Sequence, residues 1–175
     1  ANKHQGGPTM SLLVRTLFDA FGPSTLREFR RQCATPVDTQ QKLLIQLLSK
    51  NSDTEYGRLH GFAGISSIRD FQRRVPIVGY EDLQPYVEKA MSGKARQLTR
   101  RQPVFYAVTS GTTGASKYIP VTPESRTVKS KLTRVWLSAV FRDHPRIFTG
   151  KILQIASPEV EGKTASHVPF GAESG

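Results

Sequence analysis

Residues 106–120 read YAVTSGTTGASKYIP, and the fold turns on how this stretch is understood. Hydroxyl side chains stand at Thr109, Ser110, Thr112, Thr113 and Ser116, glycines at 111 and 114, and a lysine at 117, with apolar residues on both sides. Glycine lets a backbone approach a ligand closely, and hydroxyls beside exposed amides suit the oxygens of a polyphosphate. Lys117 adds a compact positive charge. A Walker A loop is ruled out by spacing, because G-x-x-x-x-G-K counted from Gly111 requires glycine where Ser116 stands. Context rules it out again. That loop runs from a strand into a helix, whereas Val104–Val108 and Tyr118–Val121 both read as strands, so the loop joins the arms of a long hairpin. The dinucleotide pattern G-x-G-x-x-G is absent. On spacing alone, a phosphate loop and a hydroxyl-rich solvent loop both remain open.

Downstream of the hairpin, Thr122 is placed to cap a long helix whose first position is Pro123, where a missing N–H costs nothing. The helix carries Val128, Leu132, Val135, Trp136 and Ala139 on one side and runs to about Phe141, ahead of the His144-Pro145 stop. Lys151–Ala156 reads as a further strand, and Val168–Gly175 as a glycine-rich loop. Upstream, Leu13, Val14, Leu17, Phe18 and Phe21 recur at helical spacing; Gly22-Pro23 is expected to end that helix, and Ser24 to cap a second with Leu26 and Phe29. Asp38 is expected to cap a third, with Leu43, Leu44, Leu47 and Leu48 inward, stopped by the Asn51-Ser52-Asp53 turn. Ser67 with Asp70 starts a short helix through Phe71. Val75–Val78 is too short and proline-bound for more than an edge strand. A helix from about Glu81 to Met91 ends on Gly93, and Arg96–Leu98 is a weak strand candidate. The order is helices first, then strand, loop, strand, helix, strand: an α/β fold.

The 175 residues suit roughly one domain. No apolar run approaches the roughly 18 residues a membrane span needs. Residues 1–9, with Gly-Gly-Pro ahead of Met10, read as a tag remnant, and the start has no signal-peptide core. The single cysteine, Cys33, excludes an intramolecular disulfide, fits a reducing cytoplasm, and is expected in the core. Twenty-five Lys and Arg against 14 Asp and Glu leave a charge of +11, which by itself invites a nucleic-acid surface. The basic residues are scattered from Arg15 to Lys151 without an aromatic-basic pattern, so solvated faces are the plainer reading. His4, His60, His144 and His167 lack metal-ligand spacing, and no metal site is expected. Glu81-Asp82 could pass for paired carboxylates, yet ahead of a helix they suit its positive end.

Beyond spacing, T-S-G-T-T-G-x-x-K matches the phosphate-loop signature of the adenylate-forming superfamily of acyl-CoA synthetases, luciferases and peptide-synthetase adenylation domains. Typical members place Pro before the lysine and Gly after it. Here Ser116-Lys117-Tyr118-Ile119-Pro120-Val121-Thr122 resembles instead the auxin-responsive Gretchen Hagen family of acyl acid amido synthetases. Asn51–Gly57 (NSDTEYG), Phe71–Leu83 (FQRRVPIVGYEDL) and Pro85-Tyr86 through Gly93 resemble that family's further blocks in the same order, so the likeness covers about residues 38–175.

The resemblance implies an ATP-dependent ligase and a bacterial-type N-terminal fragment of it: residues 10–175 would be the N-terminal part of a large adenylate-forming domain, with the rest of that domain and a C-terminal domain absent. A carboxylic acid would attack the α-phosphorus of ATP, and an amine or amino acid would then take the acyl group as an amide. Thr109, Ser110, Gly111, Thr112, Thr113 and Gly114 would clasp the phosphates, while Lys117 and Mg²⁺ offset their charge. The carboxylate is itself the nucleophile, so no catalytic side chain is named. Thr133, Trp136 and Val140 would line the acyl pocket, although a tryptophan on an apolar helix face is more often core. The implied setting is cytoplasmic, with no nucleic-acid or membrane partner and with this fragment inactive alone. A nonenzymatic nucleotide-binding homologue and a basic nucleic-acid-binding module stand as alternatives.

Overall fold

The computed structural model describes residues 9–109, 116–147, 153 and 159–172, with backbone alone for 9–15 and 17–21. Its elements are helices α1 (Thr9–Ala34), α2 (Pro36–Lys50), α3 (Glu55–Leu59), α4 (Ile68–Arg74) and α5 (Tyr80–Met91), strands β1 (Phe105–Val108) and β2 (Tyr118–Val121), helix α6 (Pro123–Asp143), and strands β3 (Gly162–Lys163) and β4 (Pro169–Gly171). The chain divides into two compact units, one of residues 1–36 and 127–154, the other of 37–126 and 155–175.

In the first unit α1 runs unbroken through Gly22-Pro23, so the expected pair of short helices is one helix and Ser24 lies inside it. The reason is a tertiary contact. A Cβ on Gly22 would come within 3.3 Å of Ser138 Oγ on α6, so the glycine marks a close helix crossing. Pro23 removes one helical hydrogen bond, a local cost of about 3 kcal/mol that does not decide the path. On α6 the buried residues are Ser138 and Phe141, on the side that meets α1. The apolar stripe read from the sequence is largely open: Val128, Leu132 and Trp136 are 55%, 57% and 62% exposed, with Val135 and Ala139 half-buried. Cys33, expected in the core, is exposed, as are its neighbours at the end of α1. The side chains of Leu13, Val14, Leu17, Phe18 and Phe21, and nearly all of the expected strand 151–156, lie outside the described residues.

In the second unit α2 begins at Pro36, which suits a first helical position, and Asp38 falls in the first turn rather than at the cap. Leu48 is buried and Leu44 half-buried, whereas Leu43 and Leu47, expected inward, are exposed. Ser67 caps α4 as expected, its hydroxyl accepting the Asp70 N–H at 3.1 Å. Val75–Val78 forms no strand among the described residues. α5 ends as read, with Gly93 at φ +96°, where a side chain would be strained.

The four strands lie in the order β2-β1-β4-β3, with β1 antiparallel to β2 and parallel to β4, and β3 antiparallel to β4. Part of the segment read as a closing loop, Pro169–Gly171, is therefore strand β4. Phe105, Ala107 and Val121 form the buried cluster on one sheet face. Tyr106, alternating to the other face, is fully buried. Arg96–Leu98 is not a strand: Arg96 sits at φ +55°, and the carbonyls of Arg96 and Gln97 accept the N–H groups of Glu55 (2.7 Å) and Tyr56 (3.2 Å), closing the start of α3.

Candidate phosphate-binding hairpin

Aromatic and β-branched residues, Phe105, Tyr106 and Val108 on one strand and Tyr118, Ile119 and Val121 on the other, suit β1 and β2 to a ladder. Phe105 pairs with Val121, Tyr106 with Pro120, Ala107 with Ile119 and Val108 with Tyr118. One step further the Thr109 N–H donates to the Lys117 carbonyl at 3.1 Å, and the Lys117 N–H reaches Thr109 Oγ1 at 3.4 Å. Residues 110–116 are thus the connection of an antiparallel hairpin, the setting read from the sequence. Ser110, Gly111, Thr112, Thr113 and Gly114 lie outside the described residues, so of the expected phosphate ligands the structure brings together Thr109 and Lys117, both exposed at the mouth of the loop.

The mouth is braced from α5. The Tyr80 hydroxyl accepts the Tyr118 N–H at 2.9 Å and donates to the Tyr118 carbonyl at 3.3 Å. Its ring centre lies 5.5 Å from Lys117 Nζ, within cation–π range. On the opposite flank the Tyr118 ring meets Phe170 of β4 edge to face, 5.4 Å between centres. Sequence reasoning missed Tyr80. The signal was its place in the resemblance block at 71–83, but a contact across 38 residues has no local pattern.

Behind the hairpin, Asn51–Gly57 turns out to be a folding device. Thr54 is fully buried; its hydroxyl donates to the Asn51 carbonyl (2.7 Å) and accepts the Gly57 N–H (2.9 Å), capping α3. Asn51 accepts the Arg100 N–H at 2.9 Å and donates to the Leu47 carbonyl at 2.8 Å, tying the turn to the segment that enters β1. Ion pairs reinforce it: Glu55 meets Lys89 of α5 at 2.7 Å, which holds the Glu55 carboxyl below its usual range, and Asp53 meets Arg96 at 3.0 Å. Asp82 accepts the Gly79 N–H at 2.9 Å, so it serves the start of α5 as expected. Thr122 caps α6 as read, accepting the Ser125 N–H at 3.2 Å while Ser125 Oγ accepts the Thr122 N–H at 2.9 Å.

The suggested acyl-pocket residues belong to the first unit. Thr133 Oγ1 donates to the Lys129 carbonyl at 3.0 Å, Trp136 is exposed and Val140 half-buried. Among the described residues no three His, Cys, Asp or Glu stand together as a metal-holding group, and no helix is long and apolar enough to cross a membrane.

Comparison with known proteins bears on all of this. The chain is similar to an indole-3-acetic acid-amido synthetase of Arabidopsis thaliana, 29% identical over 75% of this chain and 22% of the relative. It is also similar to a jasmonoyl–L-amino acid synthetase of Oryza sativa subsp. japonica, 32% identical over 82% of this chain and 31% of the relative. The chain therefore spans about a fifth to a third of these relatives. A solved acyl acid amido synthetase, in complex with 2,4-DB, matches 98% of this chain and 28% of its own at a TM-score of 0.67 and 24% identity, which confirms the α/β fold expected from the hairpin. The GH3 family N-terminal domain matches residues 25–175, and the chain belongs to that family.

Proposed function

We propose that this chain supplies the phosphate-binding part of an ATP-dependent ligase that activates a carboxylic acid as an acyl-adenylate and passes the acyl group to an amine or amino acid. The observation that carries the reading is the hairpin: two paired strands present a connection of four hydroxyl residues and two glycines, with Thr109 and Lys117 at its mouth. The amido synthetase relatives support it. Nucleotidyl transfer asks chiefly for positioning and charge neutralisation. Thr109, Ser110, Gly111, Thr112, Thr113 and Gly114 would hold the phosphates by hydroxyls and backbone N–H groups, and Lys117 would meet their charge. Mg²⁺ would be carried mainly by the phosphates and water, as is usual for that ion. The substrate carboxylate is the nucleophile, so the protein need supply none. Residues 10–175 then form part of the adenylation domain, in a cytoplasmic enzyme, with Thr133, Trp136 and Val140 toward the acid.

The test is ATP–pyrophosphate exchange by the full-length protein over a panel of carboxylic acids. Wild type should exchange with at least one acid. Lys117→Ala should lower the rate on the order of 10²-fold or more, the scale for losing one preorganised charge-stabilising group, and Ser110→Ala should lower it less. ATP binding without exchange against any acid would argue instead for a nonenzymatic homologue. The 175-residue chain alone should not exchange.

A further inference from the structure

Among the described residues β2 is an edge strand, so alternate residues turn their N–H and C=O groups away from β1, where no described strand meets them. Tyr118 is one of these, because the ladder contact to β1 next to it is made by Lys117. A single hydroxyl satisfies both Tyr118 groups, and it comes from Tyr80, the first residue of α5. The same side chain lies by the Lys117 ammonium. One tyrosine therefore touches the backbone where the loop re-enters the sheet and also the cation the loop delivers.

We propose that Tyr80 is a positioning residue for the phosphate loop, fixing the strand on which Lys117 stands and restricting the Lys117 side chain to rotamers that keep its charge at the loop mouth. This rests on the phosphate-loop reading above. The physical need is plain: lysine carries a point charge on a flexible stem, and rotamers that swing Nζ away leave the phosphates uncompensated. An aromatic face 5.5 Å from Nζ favours the rotamers that stay. The hydroxyl's two hydrogen bonds stop the edge strand from fraying beneath it.

Two substitutions separate the two contacts: Tyr80→Phe keeps the ring and loses both hydrogen bonds, and Tyr80→Leu loses everything. In the full-length protein, Tyr80→Leu should raise KM for ATP about tenfold and leave KM for the acid within about twofold, with Tyr80→Phe between wild type and Leu. In a Lys117→Ala background the same Tyr80→Leu change should cost less than about twofold, since residues acting through one another do not add. Tyr80→Phe should also speed hydrogen exchange at the Tyr118 amide while leaving Phe105 and Ala107 amides unchanged. A merely structural tyrosine would lower kcat through lost folded enzyme, spare KM for ATP, and multiply with Lys117→Ala. That pattern, or an unchanged Tyr118 amide, overturns the proposal. Should wild type show no exchange with any acid, the ligase reading falls separately, and the ATP dissociation constant becomes the readout. About tenfold weaker binding in Tyr80→Leu then upholds the clamp, while unchanged affinity, or no ATP binding by wild type, rejects it.

Discussion

The sheet and the helix pair answer differently to the same kind of sequence signal. In β1 and β2 most of the apolar residues are buried: Phe105, Ala107 and Val121 close one face and Tyr106 fills the other, with Ile119 beside Ala107 left 43% exposed. In α6 an equally clear apolar stripe, Val128, Leu132 and Trp136, stays exposed, while burial falls on Ser138 and Phe141. A hairpin carries its partner strand a few residues away, so pattern and packing are specified together. A helix stripe specifies only that a face is apolar. What the face meets is decided elsewhere, here by the close approach of Gly22 to Ser138.

Substitutions can break or sharpen that contrast. Phe105→Ala removes a core ring that is 3% exposed and also lies 5.6 Å from the Arg126 guanidinium; it should cost about 3–5 kcal/mol in urea denaturation. A loss below about 1 kcal/mol would mean that the sheet face is not a core. Gly57→Ala comes next. Its Cβ would sit 2.1 Å from the Asn51 carbonyl oxygen and 2.8 Å from Thr54 Oγ1, so the turn behind the hairpin must open, at about 2–3 kcal/mol.

Tyr106 sharpens the contrast from the other sheet face. Its hydroxyl is buried with no hydrogen-bond partner among the described residues, and burial pushes its pKa up to about 12 from an ordinary 10. The folded state thus holds the phenol proton more tightly than the unfolded chain does. The stability tied to this group is complete below about pH 10 and is lost as pH climbs toward 12. Tyr106→Phe should abolish that alkaline loss and stabilise by about 1 kcal/mol at neutral pH, because it removes an unsatisfied polar group without leaving a hole. An alkaline transition unchanged by the substitution would assign the titration elsewhere.

How much was legible follows the same division. The hairpin, the Thr122 cap, the Ser67 cap and the span of α5 came from short-range chemistry: apolar runs on both sides of a glycine-rich loop, a hydroxyl one step before a helix, a glycine just after one. Thr54 could have been read by the same capping rule, since it stands immediately before Glu55 and its hydroxyl meets the Gly57 N–H. What escaped depends on distance along the chain. Strand β4 pairs with β1 across more than sixty residues of sequence, Arg96 and Gln97 close α3 with their carbonyls, and the Tyr80 hydroxyl closes the edge of β2. Gly22-Pro23 misled because the local stop signal was real, yet a helix contact used the glycine for its lack of a side chain. Within the candidate site, the residue types of the loop suggested phosphate binding, and the Tyr80 contacts to Lys117 and Tyr118 did not announce themselves.

The smallest expected effect tests the contrast most directly. Trp136 is the chain's single tryptophan, so its fluorescence reports on one position. At 62% exposed in the 175-residue chain, it should emit near the wavelength of tryptophan in water and be readily quenched by acrylamide. Trp136→Ala should then change the stability of that chain by no more than about 0.5 kcal/mol, the range for surface positions. Phe141→Ala, five residues on and buried, should cost about 3 kcal/mol and shows what a core position on the same helix is worth. If the two losses were equal, with blue-shifted and protected Trp136 emission, the periodicity would have been right about burial as well as about the helix, and the difference between strand and helix signals drawn from this molecule would disappear.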